Sequence, residues 1–339
     1  MLVTQEPELR AFWYPVAFVE DLVNGPLARR LLGAEVVLWK LGDGAIAGAL
    51  DRCPHRDARL SGGWVEDGCL TCPYHGWQYG AEGKAVHIPQ LSDGLPIPPA
   101  ARLSSVRVAE RYGVVWVALD EPVRPVPDLP DASQPGWRII REFDEIWQAS
   151  APRLMDNSFD PAHIAFVHQP SFGTPDRARV TIDEVERTDF GLVLRNEMVV
   201  ENPDVARHST GTGERTTVRR SVTEYHAPFV RSLHITYPNG RQHIIITAAT
   251  PVDDDHLQLV QWCVRNDTEE EAPTAGILAF DRQVTLEDKV MLESTWPDYH
   301  LDVRSNVHIK IDRPTVEIRH ILNEICQGSW KAVSTGPRS

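Results

Sequence analysis

Two short stretches of the chain each place a cysteine next to a histidine. Cys53 and His55 are separated by one proline, and Cys72 and His75, after sixteen intervening residues, are separated by two residues. Thiolate sulfur and imidazole nitrogen both bind transition metals, and a proline after each cysteine stiffens a tight loop by restricting φ. The pattern predicts a metal site made by two loops, which we call the Cys–His loops (residues 53–55 and 72–75). Any fold of this chain must bring these two loops together.

Two kinds of metal site use two cysteines and two histidines. A structural zinc site usually has Cys-x(2–4)-Cys followed by His-x(3–5)-His. Here each loop supplies one thiolate and one imidazole, which suits a [2Fe-2S] cluster whose first iron is held by two Cys and whose second iron is held by two His. The ligand order favours this cluster. Because neutral His ligands remove negative charge, such a cluster has a potential of roughly −150 to +300 mV, against about −400 mV for plant-type all-Cys clusters.

A second group of ligand-type residues comprises Asn157, Asp160, His163 and His168. Two His and one carboxylate on one face of iron(II) leave three octahedral positions open for oxygen and substrate. His163 and His168 are five residues apart, about 140° around an ideal helix, so the segment needs a break or a π-bulge to bring both rings to one metal. Asp160 lies on the same face as His163, where a carboxylate would orient the imidazole. The same residues also suit a helix that begins at Asp160 and two buried core histidines.

Both patterns resemble those of the Rieske non-haem iron oxygenases. The stretches Arg-Cys-Pro-His-Arg (52–56) and Cys-Pro-Tyr-His-Gly-Trp (72–77) look like the cluster loops of the ring-hydroxylating members. The second pattern, Asn-x-x-Asp-x-x-His-x-x-x-x-His (157–168), follows in the same order as in that family. The resemblance covers nearly the whole chain.

The resemblance implies a role for each of these residues. The four side chains of the Cys–His loops are the implied ligands of a Rieske [2Fe-2S] cluster: Cys53, His55, Cys72 and His75. His163 and His168 are the implied ligands of a mononuclear Fe(II), with Asn157 beside them. Asp160 is implied to bridge toward a cluster histidine, here His75, of a neighbouring subunit.

The third iron ligand is expected in the segment from Ala275 to Thr295, whose apolar spacing predicts an amphipathic helix. Asp288 falls on the apolar stripe, where a carboxylate is costly to bury unless a partner such as a metal compensates it. Asp281 lies two turns earlier on a similar face, and spacing alone leaves both open. The string Glu-Asp-Lys-Val (287–290) resembles the segment that supplies the third ligand in the shorter oxygenases, which favours Asp288.

The apolar patterns predict an α+β fold with two domains. Short apolar runs separated by turns predict a small all-β Rieske domain over residues 1–120, and dense proline indicates a linker over residues 121–136. Residues 137–339 are expected to form a catalytic domain, an antiparallel sheet flanked by helices. Within it we expect a loop over residues 202–215, a strand over residues 307–311 and a last helix from Asp312.

Composition limits the partners and the location. The net charge of −14 argues against nucleic acid or an anionic membrane as a partner. No apolar run reaches the roughly 18–20 residues of a membrane span, and the N-terminus does not resemble a signal peptide, so a cytoplasmic protein is predicted. Cys69, Cys263 and Cys326 are expected to be free thiols. Basic residues near the Cys–His loops either steer an acidic redox partner or are simply solvated: Arg52, Arg56, Arg59 and Lys84.

The resemblance implies a terminal oxygenase component. It would receive electrons from NAD(P)H through a ferredoxin, a flavin reductase or both, and would use O₂ on a small organic substrate. Its 339 residues resemble the shorter oxygenases, which need no second type of subunit and form homotrimers. Hydroxylation or dealkylation of a medium-sized cyclic compound is expected, and cis-dihydroxylation of an aromatic ring is the alternative within the class. A Rieske electron carrier without oxygenase activity and a structural zinc module are the alternatives from other classes.

Overall fold

A computed structural model describes residues 1–23, 25–202 and 212–330 of the chain. The chain divides into two compact units, one of Arg10–Val126 and one that joins Met1–Leu9 to the chain from Pro127 onward. The N-terminal residues belong to the second unit because, for example, the hydroxyl of Thr4 donates a 2.7 Å hydrogen bond to Asp254. The first unit is all β, and the second combines a large antiparallel sheet with helices, so the predicted α+β class is confirmed.

The first unit consists of small antiparallel sheets. Strand β10 reads Val-Val-Trp-Val-Ala, and all five of its residues are buried, which explains its unbroken apolar run. The sheets have the orders β1-β10-β9, β2-β3-β4 and β5-β6-β7-β8. Their strands are β1 Tyr14–Phe18, β2 Leu27–Leu31, β3 Ala34–Lys40, β4 Ile46–Leu50, β5 Trp64–Glu66, β6 Cys69–Thr71, β7 Gln78–Tyr79, β8 Ala85–His87, β9 Arg107–Arg111 and β10 Val114–Ala118.

The second unit is built on one seven-stranded antiparallel sheet of order β11-β17-β16-β15-β14-β13-β12. The turn Pro-Asn-Gly (238–240) joins β15 to β16, and Gly240 has a φ of 83°, which suits glycine in a tight hairpin. The loop predicted over residues 202–215 connects β13 to β14, and residues 203–211 of it lie outside the described part of the chain. The strands are β11 Arg138–Trp147, β12 Thr181–Arg187, β13 Gly191–Glu201, β14 Thr216–His226, β15 Val230–Thr236, β16 Gln242–Pro251 and β17 Leu257–Arg265.

The described part of the second unit contains four α-helices: α1 Ala151–Ser158, α2 Ile164–Val167, α3 Thr274–Glu293 and α4 Arg313–Cys326. The helical pattern is interrupted between α1 and α2, and this interruption precedes both histidines. Between His163 and His168 the backbone bonds are those of a regular helix, so the break or π-bulge predicted from their spacing is wrong. Helix α3 confirms a helix in the predicted segment, although its buried residues are Ile277, Asp281, Thr285 and Leu292 and Met291 of the predicted apolar stripe is exposed. Helix α4 confirms the predicted last helix. Among the described helices, none is both long and apolar enough to cross a membrane.

The strand predicted over residues 307–311 is wrong. This segment instead ends in a short 3-10 helix, Lys310–Asp312. Val307 is 94% exposed and Ile309 is 69% exposed, so the apolar alternation that suggested a strand does not face a core. A period-2 pattern forms a strand only when a neighbouring strand pairs with it and one face is buried.

Candidate metal centres

The two Cys–His loops share one backbone design. The backbone N–H groups of Asp57 and Gly76 donate to the carbonyls of Cys53 and Cys72, four residues earlier. The N–H groups of Cys53 and Cys72 donate in turn to the carbonyls of Ala58 and Trp77, five residues later. All four hydrogen bonds are 2.9–3.0 Å long. The residues at the fourth position, Asp57 and Gly76, have positive φ angles of 58° and 70°. A left-handed residue is needed there to turn the chain back, and glycine adopts it without strain. The two loops thus share one backbone turn, with the histidine at the second position after Cys53 and at the third position after Cys72.

The side chains of these loops are arranged with sulfur inside and imidazole outside. Cys53 and Cys72 are each 1% exposed and belong to the core of the first unit. His55 and His75 are half-buried, and their ring centroids lie 4.5 Å apart. The Nδ1 atom of His55 is buried and has no hydrogen-bond partner among the described residues. This donor set fits a [2Fe-2S] cluster with a buried Cys-ligated iron and an outer His-ligated iron.

Neighbouring side chains support the loops. The ring of Trp77 stacks on His55 with a centroid distance of 4.5 Å. Gln90 donates to the carbonyl of His75 at 2.9 Å and accepts from the Trp77 indole at 3.2 Å. The hydroxyl of Tyr79 lies 3.2 Å from Cys53 Sγ. Burial raises the pKa of the Cys72 thiol, so a metal that replaces its proton would relieve this cost.

The basic residues near the Cys–His loops do not form an unpaired positive patch. Three of the four are paired with acidic side chains in exposed ion pairs, and Arg56 is exposed. Each acidic partner cancels the positive charge of its base, and water screens what remains, so little net positive charge is available to attract an acidic partner protein. Simple solvation is therefore the better interpretation of this group. The pairs are Arg52–Asp57 at 2.8 Å, Arg59–Glu35 at 3.6 Å, and Lys84–Glu82.

Three predicted ligands meet in the second unit. Asp288 Oδ1 lies 3.5 Å from His163 Nε2 and 3.4 Å from His168 Nε2, and the two nitrogens are 3.3 Å apart. An ion at about 2 Å from each atom, the usual distance for nitrogen and oxygen ligands, lies near the centre of this nearly equilateral triangle. Burial lowers the pKa of His163, with Asp288 acting in the opposite direction. A neutral imidazole is the form that binds a metal, so these residues fit a two-His, one-carboxylate iron site.

Helix α2 positions the two histidines. His163 immediately precedes α2 and His168 immediately follows it, so the single short helix holds both rings on one side. The carboxylate of Asp160 accepts from the Ala162 N–H at 2.8 Å and thereby caps this turn. His163 Nδ1 bonds to the backbone carbonyl of Asp160. We expected the Asp160 carboxylate to orient this ring, and its backbone carbonyl does so instead.

A carboxylate does orient the second histidine, and sequence reasoning missed it. Glu287 Oε2 lies 2.9 Å from His168 Nδ1 and also accepts from the Ser171 hydroxyl at 2.8 Å. Glu287 directly precedes Asp288 on α3, so one helix supplies both the ligand carboxylate and the orienting carboxylate. The adjacent acid pair was the only trace of this in the sequence. The pairing joins residues 119 positions apart, which no local pattern reveals.

The end of α1 supports the third ligand. The amide of Asn157 donates to Asp288 Oδ1 at 3.0 Å, so Asn157 lies beside the site as the sequence suggested. Helix α1 is itself anchored by Asp156, which accepts from the Tyr299 hydroxyl at 2.8 Å and from Arg319 at 2.6 Å. This anchoring fixes the helix that presents Asn157.

Asp281, the other candidate for the third ligand, does not reach the histidines. It lies with Glu142, His243 and Cys263 in a separate buried group of potential ligand atoms. Asp288 completes the first group, and Asp281 belongs to the second, so the geometry separates two carboxylates that share a helix face.

One cavity is lined both by the triad and by Asp281. Tyr225, His226 and His234, which the sheet pattern offers as conceivable pocket residues, are not among its lining residues. Their side chains are packed or paired instead, for example His226 against Phe190. The apolar part of the lining includes Trp147, Leu154, Ile164, Phe172, Leu194, Met198, Leu233, Ile235, Ile245, Leu259, Phe280 and Val284.

Two domain families match the chain. Residues 12–107 match the Rieske [2Fe-2S] domain, and residues 147–327 match the vanillate O-demethylase oxygenase C-terminal domain. The first match contains both Cys–His loops. The second contains the two histidines and Asp288.

Similar proteins extend over both units. Methylxanthine N1-demethylase NdmA of Pseudomonas putida is 31% identical over 339 residues, covering 96% of this chain and 91% of that protein. The oxygenase component of dicamba O-demethylase of Stenotrophomonas maltophilia is 32% identical over 191 residues, covering 55% of this chain and 53% of that protein. The solved structure of Pseudomonas putida NdmA with caffeine has a TM-score of 0.83 at 28% identity and covers 99% of both chains.

Proposed function

This chain belongs to the Rieske non-haem iron oxygenases, and from that premise we propose that it removes a methyl group from a nitrogen or oxygen atom of a cyclic substrate. It is the oxygenase component of such a system, an oxidoreductase with a Rieske [2Fe-2S] cluster and a mononuclear iron that uses O₂. The relatives named above are an N-demethylase of methylxanthines and an O-demethylase of dicamba. A family named for vanillate O-demethylase matches the second unit.

The observation that carries the proposal is the position of the triad. His163, His168 and Asp288 converge at the wall of a cavity whose other walls are largely apolar. A cavity of this kind excludes bulk water and holds a ring close to the metal. The site thus suits oxidation of a substrate carbon at a position fixed by the cavity.

The two metal groups supply distinct chemistry when bound: the mononuclear iron activates O₂, and the cluster delivers electrons one at a time. Oxidation of the methyl group consumes one O₂, two electrons and two protons, and forms a hydroxymethyl group and one water. A hydroxymethyl group on nitrogen or oxygen then releases formaldehyde and leaves an N–H or O–H. We propose Cys53, His55, Cys72 and His75 as the cluster ligands, and the triad as the iron ligands.

Residues of the chain hold these ligands in position before a metal binds. Asn157 fixes Asp288 Oδ1, Glu287 fixes the His168 ring, and the Asp160 carbonyl fixes the His163 ring. Such contacts orient the ligand atoms and set the histidine tautomers with Nε2 toward the metal. The entropy cost of ordering the ligand side chains is therefore met largely when the protein folds, before a metal binds.

We propose that electrons reach the cluster from NAD(P)H through a ferredoxin, a flavin reductase or both. His75 is half-exposed, as an outer ligand that meets a partner must be. We also propose a cytoplasmic location, which suits the three unpaired cysteines outside the proposed cluster, Cys69, Cys263 and Cys326. A reducing compartment keeps such thiols unpaired.

We further propose a homotrimer in which Asp160 connects the iron site to His75 of a neighbouring subunit. Asp160 Oδ1 caps Ala162, whereas no described residue hydrogen-bonds to its Oδ2, so this atom is available to a partner. Large apolar side chains exposed on the same unit support subunit contacts: Phe166 at 61%, Val290 at 73% and Trp296 at 86%.

Two other activities are less well supported. A Rieske carrier without oxygenase activity would leave the triad and its cavity without a use. Cis-dihydroxylation of an aromatic ring is chemically accessible to the same iron site, but the relatives named above are demethylases. The two activities differ in product, because a dihydroxylase releases a diol and no formaldehyde.

The test combines metal content with product. The purified, reconstituted protein is expected to contain about three irons and about two sulfides per chain, with one iron outside the cluster. With NADH, a surrogate reductase and a panel of N-methyl heterocycles and methoxyarenes, it is expected to release formaldehyde in proportion to the O₂ consumed. The His163→Ala and His168→Ala variants are expected to keep the cluster and lose the third iron and the formaldehyde.

The matched control is His256→Ala, since His256 is 41% exposed and pairs with Asp253 outside the cavity lining. It is expected to behave as the wild type. Two irons per chain in the wild type would indicate the electron carrier. Diol formation without formaldehyde would indicate the dihydroxylase.

A further inference from the structure

Asp281 is a buried carboxylate that the triad does not use. It is 5% exposed and lines the same cavity, and its Oδ2 lies 3.2 Å from Nε2 of His243, which is 1% exposed. Neither of these two atoms has a hydrogen-bond partner among the described residues. No described lysine or arginine forms an ion pair with Asp281. Because burying a carboxylate without donors is costly, the pair is incomplete until a further group contributes a donor.

The residues behind Asp281 do not complete it. Glu142 and Cys263 lie within the same 4.8 Å group, but neither is among the cavity-lining residues. Gln261 donates to Glu142 Oε2 at 2.7 Å. Burial, reinforced by the nearby Asp281 charge, raises the pKa of Glu142 well above its usual value. Of the two carboxyl groups in this group, Asp281 is the one that lines the cavity.

Helix α3 sets the distance from Asp281 to the iron site. Asp281 and Asp288 are seven residues apart on α3, which places them on one face and about 10 Å apart along the axis. A hydrogen bond at Asp281 takes up about 3 Å of this ~10 Å separation, and the coordination distance at the triad takes up about 2 Å. The remaining length of about 5 Å is close to the width of one ring or two fused rings. A ring of that size can touch both ends of the cavity at once.

We propose that Asp281 and His243 bind a hydrogen-bonding edge of the substrate, an N–H or O–H donor beside an acceptor atom of the ring, while the methyl group lies at the triad. The Asp281 carboxylate accepts a hydrogen bond from the N–H or O–H group of the substrate, and His243 Nε2 donates one to the neighbouring acceptor atom of the ring. The Tyr237 hydroxyl, 3.4 Å from His243 Nδ1, supports the imidazole from the other side. The proposal rests on the demethylase function, because the distance is measured from the iron site. It names a polar, donor-bearing ring as the substrate class.

The test measures binding without turnover. The iron-loaded enzyme, without reductant or O₂, is titrated calorimetrically with two matched probe pairs. Theobromine has an N1–H where caffeine has an N1-methyl group, and 2-methoxyphenol has an O–H where 1,2-dimethoxybenzene has a second methoxy group. In each pair the donor-bearing probe is expected to bind the wild type about 10- to 100-fold more tightly for at least one scaffold, as a hydrogen bond to a charged group requires. The EPR signal of the nitric oxide adduct reports whether the probe has reached the iron site.

Two variants and a control separate recognition from folding. In Asp281→Leu the affinity ratio between the donor-bearing probe and its methylated counterpart is expected to fall to about threefold or less. Asp281→Asn keeps the shape of the side chain and one acceptor atom, so its affinity ratio is expected to lie between those of the wild type and Asp281→Leu. Asp302→Asn, in an exposed pair with Arg304, is the control and should keep the wild-type ratio. The visible spectrum of the cluster checks that each variant is folded.

The proposal would be overturned by equal affinity within both probe pairs in the wild type, by an affinity ratio that survives in Asp281→Leu, or by no binding of any probe to the fully loaded enzyme. A fourth metal ion per chain that is lost in Cys263→Ser would also overturn it, because the group would then be a metal site. Formaldehyde release without any donor preference would contradict this proposal and leave the demethylase function standing. Donor preference without formaldehyde release would contradict the function instead.

Discussion

Glu287 gives the sharpest test of how this chain prepares its iron site. Its carboxylate is 11% exposed and contacts the Nδ1 atom of His168, whose side chain is 4% exposed, at 2.9 Å. Glu287→Gln keeps the size of the side chain and removes its charge. Glu287→Ala removes the contact altogether and leaves the Ser171 hydroxyl without this acceptor.

The size of the effect follows from the burial of the contact. A hydrogen bond to a charged group contributes about 1.5–3 kcal/mol, which corresponds to roughly 10- to 150-fold in iron affinity. Both groups are almost fully buried, so solvent screening does not reduce this range much. Loss of an orienting partner of a metal ligand typically costs 10- to 100-fold in metal affinity or activity, which agrees with the first figure. We expect the loss of iron affinity in Glu287→Ala to lie at the upper end of this range. The loss in Glu287→Gln should lie at the lower end, since the amide oxygen still accepts a hydrogen bond from His168 Nδ1.

The cluster serves as an internal standard in the assay. Protein freed of its mononuclear iron is titrated anaerobically with Fe(II), and bound iron is counted against the absorbance of the [2Fe-2S] cluster. The variants are expected to retain the cluster signal and to require 10- to 100-fold more Fe(II) for half-saturation. Glu270→Gln, an exposed acid in the segment before α3, is the matched control and should titrate as the wild type.

An Fe(II) affinity within about twofold of the wild type in both Glu287 variants would refute the argument that a preoriented His168 contributes to iron binding. Loss of the cluster signal together with the iron would instead show a folding defect, and the two losses are read separately in the same sample.

Further predictions follow from other contacts. Asp160→Asn is expected to leave the iron content unchanged while turnover with NADH falls about 100-fold or more, measured by formaldehyde release, because only the proposed link between subunits is altered; normal turnover would exclude that link. Asp156→Ala is expected to lower the free energy of unfolding by about 3–5 kcal/mol in denaturant titrations, because it leaves the buried Arg319 without its carboxylate. Tyr79→Phe removes the hydroxyl 3.2 Å from Cys53 Sγ, so the cluster potential is expected to fall by about 40–60 mV in an EPR-monitored redox titration, since a donor to sulfur stabilises the reduced state. Mild chelation is expected to stop turnover while the cluster spectrum persists.

Most of the candidate ligands could be predicted from the sequence, because they occur in short-range patterns. Cysteine and histidine two or three positions apart must lie on one loop. The five-residue spacing of His163 and His168 predicted an internal break, but the two rings meet across the ends of one short regular helix. The strands and the amphipathic helix α3 follow from periods of 2 and 3.6 residues. The predicted strand over residues 307–311 failed because its alternation faces solvent, and a pattern does not state what packs against it.

Spacing left Asp281 and Asp288 both open, and the tertiary structure places Asp288, not Asp281, beside His163 and His168. Both lie on one face of one helix, so their local patterns are nearly equivalent, and the choice depends on how α3 is placed along the sheet. The contacts that complete the iron site join residues more than a hundred positions apart: Glu287 to His168 across 119 residues, and Asn157 to Asp288 across 131. Local periodicity reports which face of an element is buried, but the partner on the opposite side of that face is set by the packing of the whole unit.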